Sequence, residues 1–224
     1  TRYFTLFPYT TLFRSHTNGD RRERSLERNI TILEEQLEDE IANGGADART
    51  LFYLGSTYAD VGRFDEAKEI LETYVKVSGW DEERADAYCW LGRIEAKQAR
   101  YTEAKQYYAK ALAEYPKTKD AYIGLGGAEL MLKQYDKAIT WLELSLFVKP
   151  LKSSRTQTPF DNVYRPYIML AQCNMELGGN RLEIALKWAQ KANEIAGDEL
   201  SSSMIEQLKY LIQLGEQSTR FITL

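Results

Sequence analysis

The chain has 224 residues, 44% hydrophobic and 28% charged, a balance that excludes wholesale disorder and fits a folded, water-soluble body. Its net charge of −4 is uneven: residues 1 to 30 hold six arginines against Asp20, Glu23 and Glu27, leaving seven more acids than bases elsewhere, which argues against a nucleic-acid partner. No stretch reaches the ~18 consecutive apolar residues of an integral membrane segment, and Cys89 and Cys173, outside any C-x-x-C pair, predict neither a zinc site nor a disulfide framework and suit a reducing, cytoplasmic setting.

Residues 1–20 form a leader that is expected to be unstructured or artefactual. Within it "TLFPYTTLFRS" lacks the basic start, unbroken apolar stretch and cleavage site of a signal peptide. It resembles a translated sequencing adapter, and the natural protein is expected to continue upstream. Residues 21–46 follow as a capping helix, with Leu26, Ile30, Leu33, Leu37 and Ile41 on one stripe. "ANGGADA" at 42–48 breaks that helix from what comes next.

A skeleton then recurs. "LGSTYADVGRFDEA" at 54–67 returns as "LGRIEAKQARYTEA" at 91–104 and "LGGAELMLKQYDKA" at 125–138. Each copy reads as two helical patterns: about 51–61, 88–99 and 122–133 for the first, and 64–77, 101–115 and 135–148 for the second, with apolar residues at intervals of three and four. Gly55 with Ala67, Gly92 with Ala104 and Gly126 with Ala138 are the expected close-crossing points, since two helices about 8 to 10 Å apart need small residues where they meet. Gly62 suits the hairpin turn, and Pro116 and Pro150 stop the second helices. A looser copy, "LAQCNMELGGNRLEIA" at 170–185, puts Ala171 in the glycine position and adds two residues before Ala185. Residues 198–217, with Met204, Ile205, Leu208, Leu211 and Ile212 on one stripe, are the expected C-terminal capping helix.

A helix pair with a period near 34, carrying these Leu-Gly, Ala, aromatic and proline placements, resembles the tetratricopeptide repeat (TPR). The resemblance covers about residues 48–197, with repeats at about 48–80, 85–118, 119–150 and 164–197. It implies an all-α, right-handed superhelix (solenoid) of antiparallel hairpins with flanking capping helices. The family pattern usually has tyrosine where this chain has Tyr58, Glu95, Glu129 and Asn174, so only the first copy keeps it.

The same resemblance implies that the first helix of each hairpin lines a concave channel for a protein or peptide. The residues it assigns there are Phe52, Ser56, Cys89, Arg93, Lys97, Ile123, Leu130, Met131, Ile168, Gln172 and Met175, with Ala96 and Gly127 beside them. The alternative for each is a contact between neighbouring hairpins. Members that clamp a chaperone tail use lysines and asparagines, against only Arg93 and Lys97 here, so an apolar or helical ligand is expected. The insertion at 150–163 exceeds the usual loop length. Its Lys152, Arg155 and Phe160 either close over one end of the channel or belong to a polar loop.

No catalytic residues, metal ligands or cofactors are expected. His16 is the only histidine, Gly178-Gly179 belongs to no phosphate-binding motif, and no D-x-D occurs. Asp81-Glu82-Glu83 and Glu38-Asp39-Glu40 read as helix-start and exposed-face acids. "ERNITILEEQL" at 27–37, "SGWDEERADAY" at 78–88 and "YRPYIMLAQCNMELG" at 164–178 resemble the repeat-bearing tail of bacterial and phage family 2 glycosyltransferases, with His16 and Arg28-Asn29-Ile30 at the domain junction. That resemblance implies a non-catalytic module that positions or contacts a missing catalytic domain of its own chain. The alternative is a free-standing adaptor that binds an apolar or helical peptide.

Overall fold

The computed structural model describes residues 19–149 and 160–222, with side chains described for 24–149 and 162–215. Residues 1–18, including His16 and the adapter-like stretch, lie outside the described residues, as do Pro150, Lys152 and Arg155. Every regular element among the described residues is helical. In order they are α1 (Gly19–Ala42), α2 (Ala48–Val61), α3 (Phe64–Val77), α4 (Asp81–Lys97), α5 (Tyr101–Glu114), α6 (Lys119–Met131), α7 (Tyr135–Phe147), α8 (Arg165–Leu177), α9 (Leu182–Ala196) and α10 (Glu199–Ile222). A π-turn at Phe160–Tyr164 leads into α8, and a 3-10 turn at Gly179–Arg181 leads into α9.

The helices pair as antiparallel hairpins, α2 with α3, α4 with α5, α6 with α7 and α8 with α9. Local chemistry sets their ends. Asp47 caps α2 by accepting from the Arg49 amide at 2.7 Å, and α5 stops at Glu114 just ahead of Pro116. Each hairpin turn contains a residue of positive φ at one repeat position, at Gly62, Ala99, Lys133 and Gly178 (φ 88°, 59°, 59° and 66°), and the fourth turn has a second at Gly179 (φ 56°). Those at the shared position stand seven residues after Gly55, Gly92, Gly126 and Ala171. Glycine adopts this conformation without a Cβ penalty, whereas Ala99 and Lys133 are held in it by the hairpin around them.

The close crossings differ in one respect from the sequence expectation. A Cβ on Gly55 would lie 2.7 Å from Leu71 Cγ, one on Gly92 2.6 Å from Tyr108 Cε1, and one on Gly126 2.5 Å from Leu142 Cγ. The glycines therefore make room for a large side chain four residues after each repeat alanine, rather than for Ala67, Ala104 and Ala138 themselves. The fourth hairpin evens out the sizes: Ala171 fills the glycine position and Ala189 the large one, both within one buried cluster. Tyr108 is also hemmed in from the next hairpin, since a Cβ on Gly124 would meet its ring at 2.4 Å.

A second register of contacts joins one hairpin to the next. Glu95, 1% exposed, accepts from Lys68 on the preceding hairpin at 2.7 Å and from Arg100 in its own turn. Glu129 accepts from Lys105 of the preceding hairpin at 2.7 Å. At the next boundary the lysine position is Ile139, and the partner position is the neutral Asn174, whose amide donates to Leu170 O at 2.8 Å. In the first hairpin Tyr58 donates to Glu34 of α1 at 2.6 Å, beneath the Arg63 guanidinium. Glu95, Glu129 and Asn174, the departures from the family pattern, are thus buried junction groups, each with a local partner.

The two ends are closed as the stripes predicted, with one exception. Ile30 is buried against the first hairpin, with Leu33 and Leu37 beside it, and Leu208 of α10 packs into the Ala171, Ala185 and Ala189 cluster. Ile41 is instead 60% exposed. The last turn of α1 is held by Glu40, which accepts from the Thr50 hydroxyl at 2.7 Å and the Asp47 amide at 2.8 Å. First helices of successive hairpins approach one another closely (α2 with α4, α4 with α6, α6 with α8), whereas successive second helices stand further apart, α3 and α5 meeting through the Tyr107 hydroxyl, which donates to Glu72 at 2.7 Å. The stack therefore curves with its first helices inside.

Two measurements test this packing. Gly126→Ala should destabilise the fold by about 1–3 kcal/mol through overpacking, and in urea unfolding a second change, Leu142→Ala, should cost less in that background than in the wild type. Burial acts to raise the Glu95 pKa, but hydrogen bonds from Arg100 and Lys68 hold its carboxyl below the usual range. A depressed folded pKa gives stability that is present above the unfolded value of about 4.3 and lost as pH falls through the folded pKa. Glu95→Gln should therefore cost about 1 kcal/mol at pH 7, discounted for the partly exposed cations, with the gap closing in acid unfolding below about pH 4.

Candidate functional site: the inner channel

Because first helices line the inside, side chains at i and i+4 on their open stripe define the channel. One step after each crossing residue stand Ser56, Arg93, Gly127 and Gln172, and one turn later stand Asp60, Lys97, Met131 and Glu176. The structure separates the predicted residues into two groups. Phe52, Ser56, Cys89, Ile123, Leu130 and Ile168 are buried, enclosed by neighbouring hairpins as the inter-hairpin alternative describes. Arg93, Met131, Gln172 and Met175, with Ala96, are partly exposed, and Lys97 is exposed. Phe160 opens the π-turn.

The channel floor is charged in its first half. The Arg93 guanidinium pairs with Asp120 of the next first helix at 3.2 Å and lies 4.9 Å above the Trp90 ring. Burial works to lower the Arg93 pKa, and the carboxylates of Asp120 and Asp86 more than offset it, so the group stays charged. Lys97 reaches back to within 5.6 Å of the Phe64 ring centre. In the second half Met131, Gln172 and Met175 replace this charge with soft, adaptable side chains. Sequence reasoning missed Asp60, Glu176 and the Arg93–Asp120 pair. The first two share the repeat position of Lys97 and Met131, five residues after the crossing residue, and that spacing would have found them.

Among the described residues no group of three or more His, Cys, Asp or Glu is placed to hold a metal ion. A cleft of about 200 Å³ between α1 and α2, lined by Leu33, Gln36, Asp47, Arg49, Thr50 and Tyr53, falls short of the roughly 300–1,000 Å³ of small-molecule pockets. Among the described residues no helix is long and apolar enough to cross a membrane.

A family model for the tetratricopeptide repeat matches residues 52–117 and again 91–151. Over residues 52–151 the chain matches the tetratricopeptide repeat, and its helix hairpins form a TPR-like solenoid. Its fold is similar to a crystal structure of MamA at 25% identity and a TM-score of 0.59, over 82% of this chain and 95% of that one. A thermophilic TPR protein of Thermus thermophilus shares the fold at 20% identity and a TM-score of 0.54, over 86% of this chain and 93% of that one. In sequence, 107 residues, 45% of this chain, are 31% identical to outer dynein arm-docking complex subunit 4 of Xenopus laevis. The match spans 20% of that protein's length.

The cysteines of the TPR stack give a direct check on channel burial. Burial pushes the Cys89 thiol well above its ordinary pKa, with the Asp120 carboxylate adding to the shift, and it pushes Cys173 up to about 12. Both are fully buried. A thiol-reactive disulfide reagent should label neither Cys89 nor Cys173 in the native protein at pH 8, and both on unfolding.

Proposed function

We infer that this chain is a non-catalytic protein-interaction scaffold that takes a peptide or helical segment of a partner along its inner channel. The observation that carries this reading is the open row at one repeat position on four successive first helices, Asp60, Lys97, Met131 and Glu176. Met131 and Met175, with Gln172 between them, offer apolar and hydrogen-bonding contact to an amphipathic helix. Lys97 and Asp60 face the polar flank of the ligand, and the Arg93–Asp120 pair stiffens the floor beneath. Phe52, Cys89, Ile123, Leu130 and Ile168 support that floor from within.

The adaptor form of this reading has the better support, since MamA, similar in fold, is matched over 95% of its length. A tail serving a family 2 glycosyltransferase rests on the stretches at 27–37, 78–88 and 164–178, and contiguous upstream DNA encoding a D-x-D domain would establish it. A cytoplasmic setting rests on the two free thiols.

The test is site-specific. A photo-crosslinking residue at position 131 should capture the partner, whereas one at Thr73, exposed on α3 of the first hairpin, should not. With that partner, Met131→Glu combined with Met175→Glu should weaken binding at least tenfold by calorimetry, at unchanged thermal unfolding. Unchanged affinity would remove the channel from the proposal.

A further inference from the structure

The outer surface carries a second repeat-periodic feature. Three hairpins place an aromatic pair at equivalent positions, one ring from the first helix and one from the second. Tyr88 and Tyr107 stack at 6.5 Å between centres, Tyr167 and Trp188 stack at 5.4 Å, and Tyr122 and Trp141 meet at 6.2 Å with a 45° tilt. All six rings are partly exposed. In two of the three pairs a lysine three residues further along the second helix covers the rings. Lys110 Nζ stands 5.8 and 5.0 Å from the centres of Tyr88 and Tyr107, and Lys191 Nζ stands 5.7 and 4.7 Å from those of Tyr167 and Trp188.

The middle pair has no such cover. Three residues after Trp141 comes Leu144, 43% exposed, and after another three Phe147, 87% exposed. Among the described residues no lysine or arginine stands over Tyr122 or Trp141. The exposed Glu143 lies beside Leu144, and among the described residues it makes no ion pair. An aromatic face with no cation over it, next to a carboxylate and two exposed apolar side chains, is attractive to a cation carried on an apolar segment. The body of the chain, seven acids in excess, draws the same kind of partner.

We propose that Tyr122 and Trp141, which no described lysine or arginine covers, form a cation seat on the outer face of the third hairpin. It takes a lysine or arginine of a partner protein, whose neighbouring apolar residues rest on Leu144 and Phe147. The seat requires only that the chain binds protein, and it is separate from the inner channel.

Two twelve-residue amphipathic peptides of equal leucine content, one with two arginines and one with two glutamates in their place, test the seat. The readout is the indole N–H resonances of the 15N-labelled protein. The arginine peptide should shift the Trp141 signal and leave Trp188, already covered by Lys191, in place; the glutamate peptide should move neither. Leu144→Lys supplies the missing cation internally, at a position where the flanking hairpins already hold lysine, and should weaken the arginine peptide about tenfold, with unchanged thermal unfolding. Lys191→Leu should make Trp188 respond as Trp141 does. Equal shifts from both peptides, or undiminished binding to Leu144→Lys, would overturn the proposal. Neither result bears on the Met131 and Met175 test, so the outer seat and the inner channel stand or fall separately.

Discussion

The architecture depends on a size complementarity across each hairpin. A residue without a side chain on the first helix faces a large one on the second: Gly55 against Leu71, Gly92 against Tyr108, Gly126 against Leu142. The helices approach closely because the space that a Cβ would take belongs to the opposite side chain, and interiors packed at crystal density leave no slack for both. The fourth hairpin reaches the same closeness with two medium-small residues, Ala171 and Ala189. What recurs along the stack is a small residue on the first helix, glycine where the facing residue is large and alanine where it is alanine.

Much of this was legible in the sequence because periodicity and small residues are local signals. The Leu-Gly and Ala skeleton placed every hairpin, and the two stripes placed both capping helices. What escaped was the partner of each glycine. Spacing marks where a small residue sits but does not say which residue of the facing helix fills the gap. Ile41 was misread for a similar reason: its stripe position is correct, yet the last turn of α1 is tied down by Glu40 and leaves it in solvent. The candidate site was less legible than the fold. Helical phase puts Phe52 and Met131 on the same inner stripe, and only the packing of adjacent hairpins decides that the first is sealed and the second open.

Inner and outer surfaces follow different rules. First helices crowd together, so their stripe is mostly consumed by inter-hairpin contact, and what stays accessible is a row of long side chains such as Lys97, Met131 and Glu176. Second helices splay apart, which leaves room for bulky rings and the lysines that cover them. A repeat protein that needs a flexible inner lining and a rigid outer one obtains both from curvature alone. The arrangement also explains the absence of a deep pocket in the described stack: curvature opens a trough rather than a hole, and a trough suits a polymer.

The junction groups carry a further consequence. Glu95 needs Lys68 behind it and Glu129 needs Lys105, whereas Asn174 follows Ile139. The second and third hairpins thus each bear a carboxylate that accepts from a lysine of the unit before it, whereas the fourth bears an amide bonded within its own helix. Unequal recombination that moved the third hairpin behind itself would strand a carboxylate against isoleucine, and the buried charge would be lethal to the seam. Duplicating that unit therefore carries the cost of an unpaired buried carboxylate at the joint, unless the isoleucine becomes lysine or the carboxylate becomes neutral. Charge, as well as packing, thus constrains the order of units in this chain.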